Sequence, residues 1–313
     1  HRGRRDNQRR GLCMTAIIPQ KMVRYIAADG SLTQEGILLL LSYQQQTATN
    51  AGGIATNAAD IAALDTRITD LANTDYDIQL ALGLVPGAYA VEKFGRNPDI
   101  DTATVPEDVW NGSQIYTGFG VGAEVASEVV SDSASDTGTV YIKGLRTPTS
   151  TEYETASYTV AGLTPVSVGS WWRANTGWYD TGDDTTFNVG TITVRQTAAP
   201  ANIYIAMPAG KSATTIGCWT VPFGSTALLR KLDIEVSRAS ATATVAGALW
   251  TRQINESPRY QFQFVRGNNV GSEAFNPPSP IVFPAQTDIS VQITSCSANN
   301  IEVLARFGLV VYT

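Results

Sequence analysis

A seven-residue apolar repeat within residues 32–82 sets the strongest limit on how this chain can fold. With Ile54 at position a, the a sites read Ile54, Ile61, Ile68 and Asp75, and the d sites read Asn57, Leu64, Leu71 and Ile78. Such a repeat makes a narrow stripe suited to a partner helix, and its strict spacing does not drift as the 3.6-residue pattern of a lone surface helix does. The alternative is one amphipathic helix packed on its own domain. Upstream, the register holds Leu40 at a and Tyr43 at d, then weakens through Thr47 and Asn50. Gly52-Gly53 is expected to fray or break the helix, since each glycine costs about 1 kcal/mol against alanine. Ile at a with Leu at d favours two strands, but Asn50 and Asn57 at d argue the other way, because a buried polar layer specifies register and stoichiometry. The reading is a homotrimeric coiled coil held by Asn57, Ile61, Leu64, Ile68, Leu71 and Ile78.

The flanks of this stretch differ. Residues 1–31 read as a basic arm and an anchoring segment. Arg4, Arg5, Arg9 and Arg10 lie among almost nothing apolar, so the arm repels itself and suits an acidic docking surface. Residues 14–31 alternate through Ile17 and Ile18 and end in Asp29-Gly30, an extended piece closed by a turn. It has no apolar core or cleavage site of a secretory signal, so a route other than secretion is expected to carry the protein out of a cell. Ser31 with Gln34 reads as a capping box opening a helix, and helix and coil together occupy 32–85. Residues 86–120, broken by Gly95, Pro98, Pro106 and Gly112, read as a connector. Its aromatics Phe94, Trp110, Tyr116 and Phe119 are expected to fold down onto the β-rich body or onto sister chains.

From residue 121 to 313 the pattern is short alternating runs separated by turn residues, with no helical period between them. That indicates a mainly β domain, an antiparallel jelly-roll-like sandwich. Charged residues are only 16% of the chain, which suits an extracellular-style β protein, and the net charge of −6 argues against nucleic-acid binding. The apolar run Ile37–Leu41 is too short to span a bilayer, so no membrane insertion is expected. Cys13, Cys218 and Cys296 are widely spaced, and the latter two read as small buried hydrophobes, with one disulfide left open.

Several stretches resemble structural proteins of tailed bacteriophages. The joined pattern Glu92-Lys93-Phe94-Gly95-Arg96-Asn97-Pro98-Asp99-Ile100-Asp101-Thr102 and Pro106-Glu107-Asp108-Val109-Trp110-Asn111-Gly112 resembles a block in phage virion proteins. Residues 129–133, 136–138 and 141–145 are similar to the same family, as are Trp219–Gly224, Ser279-Pro280-Ile281 and the closing strands at 289–293 and 301–312. The resemblance covers roughly 86–313. It implies a virion component, a tail fibre or head appendage, with its N-terminus on the particle and its β domain outward. Arg4, Arg5, Arg9, Arg10, Ile17 and Ile18 would then form the virion anchor, on a portal, tail adaptor or capsid protein.

Catalytic chemistry is sparse. His1 is the only histidine, which removes Ser-His-Asp and Cys-His catalysis and nearly all zinc hydrolysis. Ala209-Gly210-Lys211-Ser212 ends like a phosphate loop, but Ile205 stands where its first glycine belongs. Trp178 with Asp183 and Asp184 is the candidate glycan contact, because indoles stack on sugars; the competing reading is a solvated acidic loop beside core tryptophans. No cofactor or metal is expected. The sequence thus reads as a non-enzymatic trimeric fibre protein for host attachment, binding a bacterial surface glycan or protein. A head decoration or joining protein is the alternative, and a glycan depolymerase spike a second.

Overall fold

The computed structural model describes residues 34–73, 76–119, 122–183, 185–238, 242–254, 256–267, 273–277 and 279–313. The anchor residues Arg4, Arg5, Arg9, Arg10, Ile17 and Ile18, the Ser31 cap and Asp184 lie outside the described residues. The described residues fall into two units, one holding 34–73 and the other 76–313.

In the first unit, α1 (Gln34–Asn73) is one helix of 40 residues, roughly 60 Å long at 1.5 Å per residue. It runs unbroken through Gly52-Gly53, where a break was expected. Ala51 and Ala55 stand on either side of the pair, and the Thr56 hydroxyl donates to Gly52 O at 3.0 Å without interrupting the ladder. Ile54, Ile61 and Leu64 of the heptad stripe are 70%, 65% and 54% exposed. The backbones of Asn57, Ile68 and Leu71 continue the same helix, but Ile78 does not. It belongs to α2 (Tyr76–Ala81) of the second unit, which buries Leu80, and Tyr76 Oη lies 2.8 Å from Tyr312 Oη.

The second unit is mainly β and antiparallel. Its strands are, in order, β1 (Ala88–Ile100), β2 (Glu107–Asp108), β3 (Val125–Ser131), β4 (Thr139–Leu145), β5 (Glu154–Thr159) and β6 (Val166–Trp171). There follow β7 (Arg173–Asp180), β8 (Ile192–Gln196), β9 (Ala199–Met207), β10 (Cys218–Thr220), β11 (Thr226–Ser237) and β12 (Thr244–Gln253). The last are β13 (Arg259–Gly267), β14 (Glu273–Phe275), β15 (Ile281–Phe283), β16 (Thr287–Cys296) and β17 (Ile301–Tyr312).

The reading of one sandwich over 121–313 is replaced by four sheets around two cores. One core lies between a sheet ordered β1-β17-β11-β14, with β15 also on β11, and a sheet ordered β10-β16-β12-β13, with β2 also on β16. Strand β17 shows why: Ile301, Val303, Ala305, Phe307, Leu309 and Val311 recur every second residue and are all buried, on a strand flanked by β1 and β11. The second core lies between β6-β3-β8-β9 and β5-β4-β7, an insertion carried entirely between β2 and β10.

The stretch read as a connector is structural in both cores. β1 pairs with β17 from Ala88 to Asn97 and again at Ile100, with a shift of register at Pro98-Asp99, despite its glycine and proline punctuation. Gly95 permits this, because a Cβ there would overlap Val109 O and the Gly217 backbone. Asn97, fully buried, donates to Glu107 Oε2 (2.7 Å) and accepts from Asp99 N and Ser113 Oγ, so it ties the two halves of the phage-like block together. Trp110 and Tyr116 are buried as expected, edge to face at 5.3 Å, with Phe119 continuing the row at 4.8 Å; Phe94 stays partly exposed. Cys218 and Cys296 are free thiols and do not pair with each other.

Candidate functional site

The two cores meet along a polar seam. Arg173 on β7 reaches Asp288 on β16 with Nε to Oδ1 at 2.8 Å and Nη2 to Oδ2 at 2.9 Å, a bidentate pair with both side chains buried. Arg252 adds a contact to Oδ2 at 3.2 Å and the Thr220 hydroxyl donates to Oδ1 at 2.7 Å. A planar guanidinium matched to a planar carboxylate fixes both distance and angle between the sheets. Tyr153, stacked on Trp219 at 5.7 Å, spans the seam beside it by donating to Thr220 O and accepting from Asn175 Nδ2.

Beside the seam lies a cleft of about 800 Å³. Register explains its wall. Residues paired across antiparallel strands share a face, so Trp250 and Ser290, Tyr260 and Trp250, and Asp108 and Gln292 stand together. Ile289, Val291 and Ile293 alternate with them and fill the first core. The face carrying Asp288, Ser290, Gln292 and Thr294 turns instead toward the inserted sheets, whose Tyr204 and Asn202 form the opposite wall with Tyr116 and Phe119. The Trp250 and Tyr260 rings pack at 4.1 Å between centroids with 51° between planes.

Asp108 is the ionisable group of this cleft that stands apart from the ion pairs. Burial pushes its carboxyl up to about 6, held back by the Tyr116 backbone N–H, which donates to Oδ2 at 2.7 Å, and by the Ser290 and Gln292 side chains. Its Oδ1 makes no hydrogen bond. Asp288, by contrast, is committed to two arginines. Aromatic faces interleaved with a carboxyl, hydroxyls and amides suit a ligand with both apolar ring faces and many hydroxyls.

The residues singled out as a glycan contact are not in this cleft. Trp178 lies on β7, half-buried and stacked on Tyr141 of β4 at 5.0 Å with ring planes 4° apart. Asp183 sits in the exposed loop beyond β7, where its Oδ1 accepts from the Thr185 N–H and hydroxyl, which lower its pKa. Trp171 and Trp172 are buried, Trp171 in the second core and Trp172 against the Arg173 guanidinium at 4.2 Å. The Gly210-Lys211-Ser212 stretch is a turn held by the buried Asn188, whose Oδ1 accepts from Lys211 N and Ser212 N. No group of three or more His, Cys, Asp or Glu with metal-binding spacing occurs among the described residues.

No protein-family model and no curated protein matches the chain. Among solved structures it aligns with the PBSX exported protein XepA at 11% identity, over 71% of this chain and 84% of that one, with a TM-score of 0.17. No described helix is long and apolar enough to cross a membrane.

Sequence reasoning missed the cleft because its residues are spread from Asp108 to Gln292. No local signal marked it: Asp288-Ser290-Gln292 alternate with Ile289-Val291-Ile293 as in a strand with one solvated face, yet both sets are largely buried.

Proposed function

We propose that the chain is a non-enzymatic structural component of a tailed phage particle: a homotrimeric fibre protein, anchored by its N-terminal segment on another virion protein, whose β body meets the host surface. The observation that carries this reading is the heptad stripe of α1. Ile54, Ile61 and Leu64 stand more than half exposed on a helix of 40 residues, and burying each is worth about 1.5–3 kcal/mol. Sister helices in a coiled coil would cover them, with Asn57 as the polar layer. The phage-like block over 92–112 supports the virion assignment, and the Asn97 network accounts for why its two halves go together.

Within this reading the aromatic cleft beside Trp250 and Tyr260 is the contact for a bacterial surface glycan, with Trp178 on its own sheet as a second platform. Three copies on one stalk raise the effective concentration of a weak contact, so binding follows avidity rather than single-site affinity. The test is the native mass of the full chain by light scattering, alongside Ile61→Asp with Leu64→Asp. Three chains for the wild type and a lower mass for the double variant are expected. A monomeric wild type, or an unchanged mass in the variant, refutes the coiled coil.

A further inference from the structure

β1 has a strand on one side only. β17 pairs along it, and no other described strand lies on its far edge. The direction of its main-chain groups can be read from its start. Thr313 N–H donates to Gly87 O at 2.8 Å, whereas Ala88 N–H turns the other way, to Val85 O. Hydrogen-bonding direction alternates along a strand, so Tyr89, Val91 and Lys93 face β17. Ala90, Glu92 and Phe94 present their N–H and C=O groups to the open edge, and those groups make no hydrogen bond there among the described residues.

This edge is recessed. It lines a groove of about 860 Å³ whose opposite wall comes from the inserted sheets, including Lys143, Tyr153, Thr176 and Thr214. Strands in a sheet lie about 4.8 Å apart, and the lined stretch 89–94 is the length of an average strand. The groove also carries charge of both signs, Lys93 and Lys143 together with Glu92 and Glu152. Lys93 Nζ donates to Asn175 O at 2.9 Å and Thr176 Oγ1 at 3.0 Å, leaving one donor of three. Burial, with a smaller contribution from the neighbouring Lys143, pushes its pKa down to about 8. On the wall, Thr214 Oγ1 is buried without a hydrogen-bond partner.

We infer that this groove is a second binding site, for an extended peptide segment of a partner protein that adds to β1 as a sheet strand and sets an acidic side chain against Lys93 and Lys143. Main-chain pairing with Ala90, Glu92 and Phe94 supplies affinity. A side chain opposite Lys93 shares its face of the sheet, which brings a carboxylate to both ammonium groups. The site does not depend on the fibre reading.

The probe is a yeast-displayed library of nine-residue peptides, selected on the full chain. Enriched peptides should carry Asp or Glu at one position and bind at least tenfold more weakly to Lys143→Glu. Glu92→Pro removes an outward N–H while leaving the β17 ladder whole, and should abolish binding. If that variant does not fold, peptides N-methylated at alternate amides give the same answer: one set should lose at least tenfold in affinity and the other little. Failure to enrich any peptide, or equal binding of the two methylated sets, overturns the proposal.

Discussion

Asp288→Ala should be the most damaging single change at the seam. The substitution removes the acceptor for Arg173 Nε and Nη2, for Arg252 Nη2 and for the Thr220 hydroxyl. It leaves the Arg173 guanidinium inside the protein without its carboxylate. Counting four hydrogen bonds separately would overshoot, because they share one charge. Breaking one side of a buried ion pair costs about 3–5 kcal/mol, much of it the desolvation of the remaining ion. For a body of this size, roughly 2–3 °C of Tm is lost per kcal/mol, so a fall of about 10 °C is expected. Urea unfolding at fixed protein concentration should measure wild type, Asp288→Ala, and the cycle of Asp288→Leu, Arg173→Met and their double variant. Removing both charges and refilling the volume should restore most of the loss, giving a coupling of at least about 2 kcal/mol. A cost below about 1 kcal/mol for Asp288→Ala, or a double variant as unstable as the sum of the singles, would show that the seam does not join the two cores as argued.

Three further outcomes test the structure. Asp108 has a folded pKa raised from the ordinary 3.8 to about 6, so the fold binds this proton more tightly than the unfolded chain does. The stability it withholds at neutral pH, on the order of 3 kcal/mol, returns as pH falls through 6 toward 4. Wild type should therefore gain on Asp108→Asn over that window in matched urea titrations, and a gap independent of pH would contradict the assignment. Gly95→Ala should cost more than about 3 kcal/mol or prevent folding, because the new methyl meets the Val109 carbonyl and the Gly217 backbone. Gly52→Ala, with nothing within 4 Å, should instead stabilise α1 by up to about 1 kcal/mol in thermal melts.

Local periodicity was readable wherever one face of an element meets one environment. The alternation through 301–312 identified a strand, and the heptads identified a helix across 54–71. Reading failed where a local signal and a tertiary partner disagree. Gly95 and Pro98 look like connector residues, but Gly95 is where two backbones meet and Pro98 falls where the pairing with β17 shifts register. Gly52-Gly53 looked like a break, but its cost is small beside the cooperativity of a long helix. Ile78 fits the heptads, but it stands on α2, whose Leu80 two residues on is buried against the β body.

Composition and pattern alone thus determined a helical segment ahead of a β-rich body, with Trp110 and Tyr116 folded down onto that body. Only the tertiary structure decided that the body has two cores, that Arg173 and Asp288 join them, and that a cleft and an open strand edge lie on their flanks. The physical reason is range. Side-chain periods report a residue's immediate surroundings, whereas Arg173 and Asp288 are 115 positions apart and meet only because an inserted pair of sheets packs on the outer face of β16.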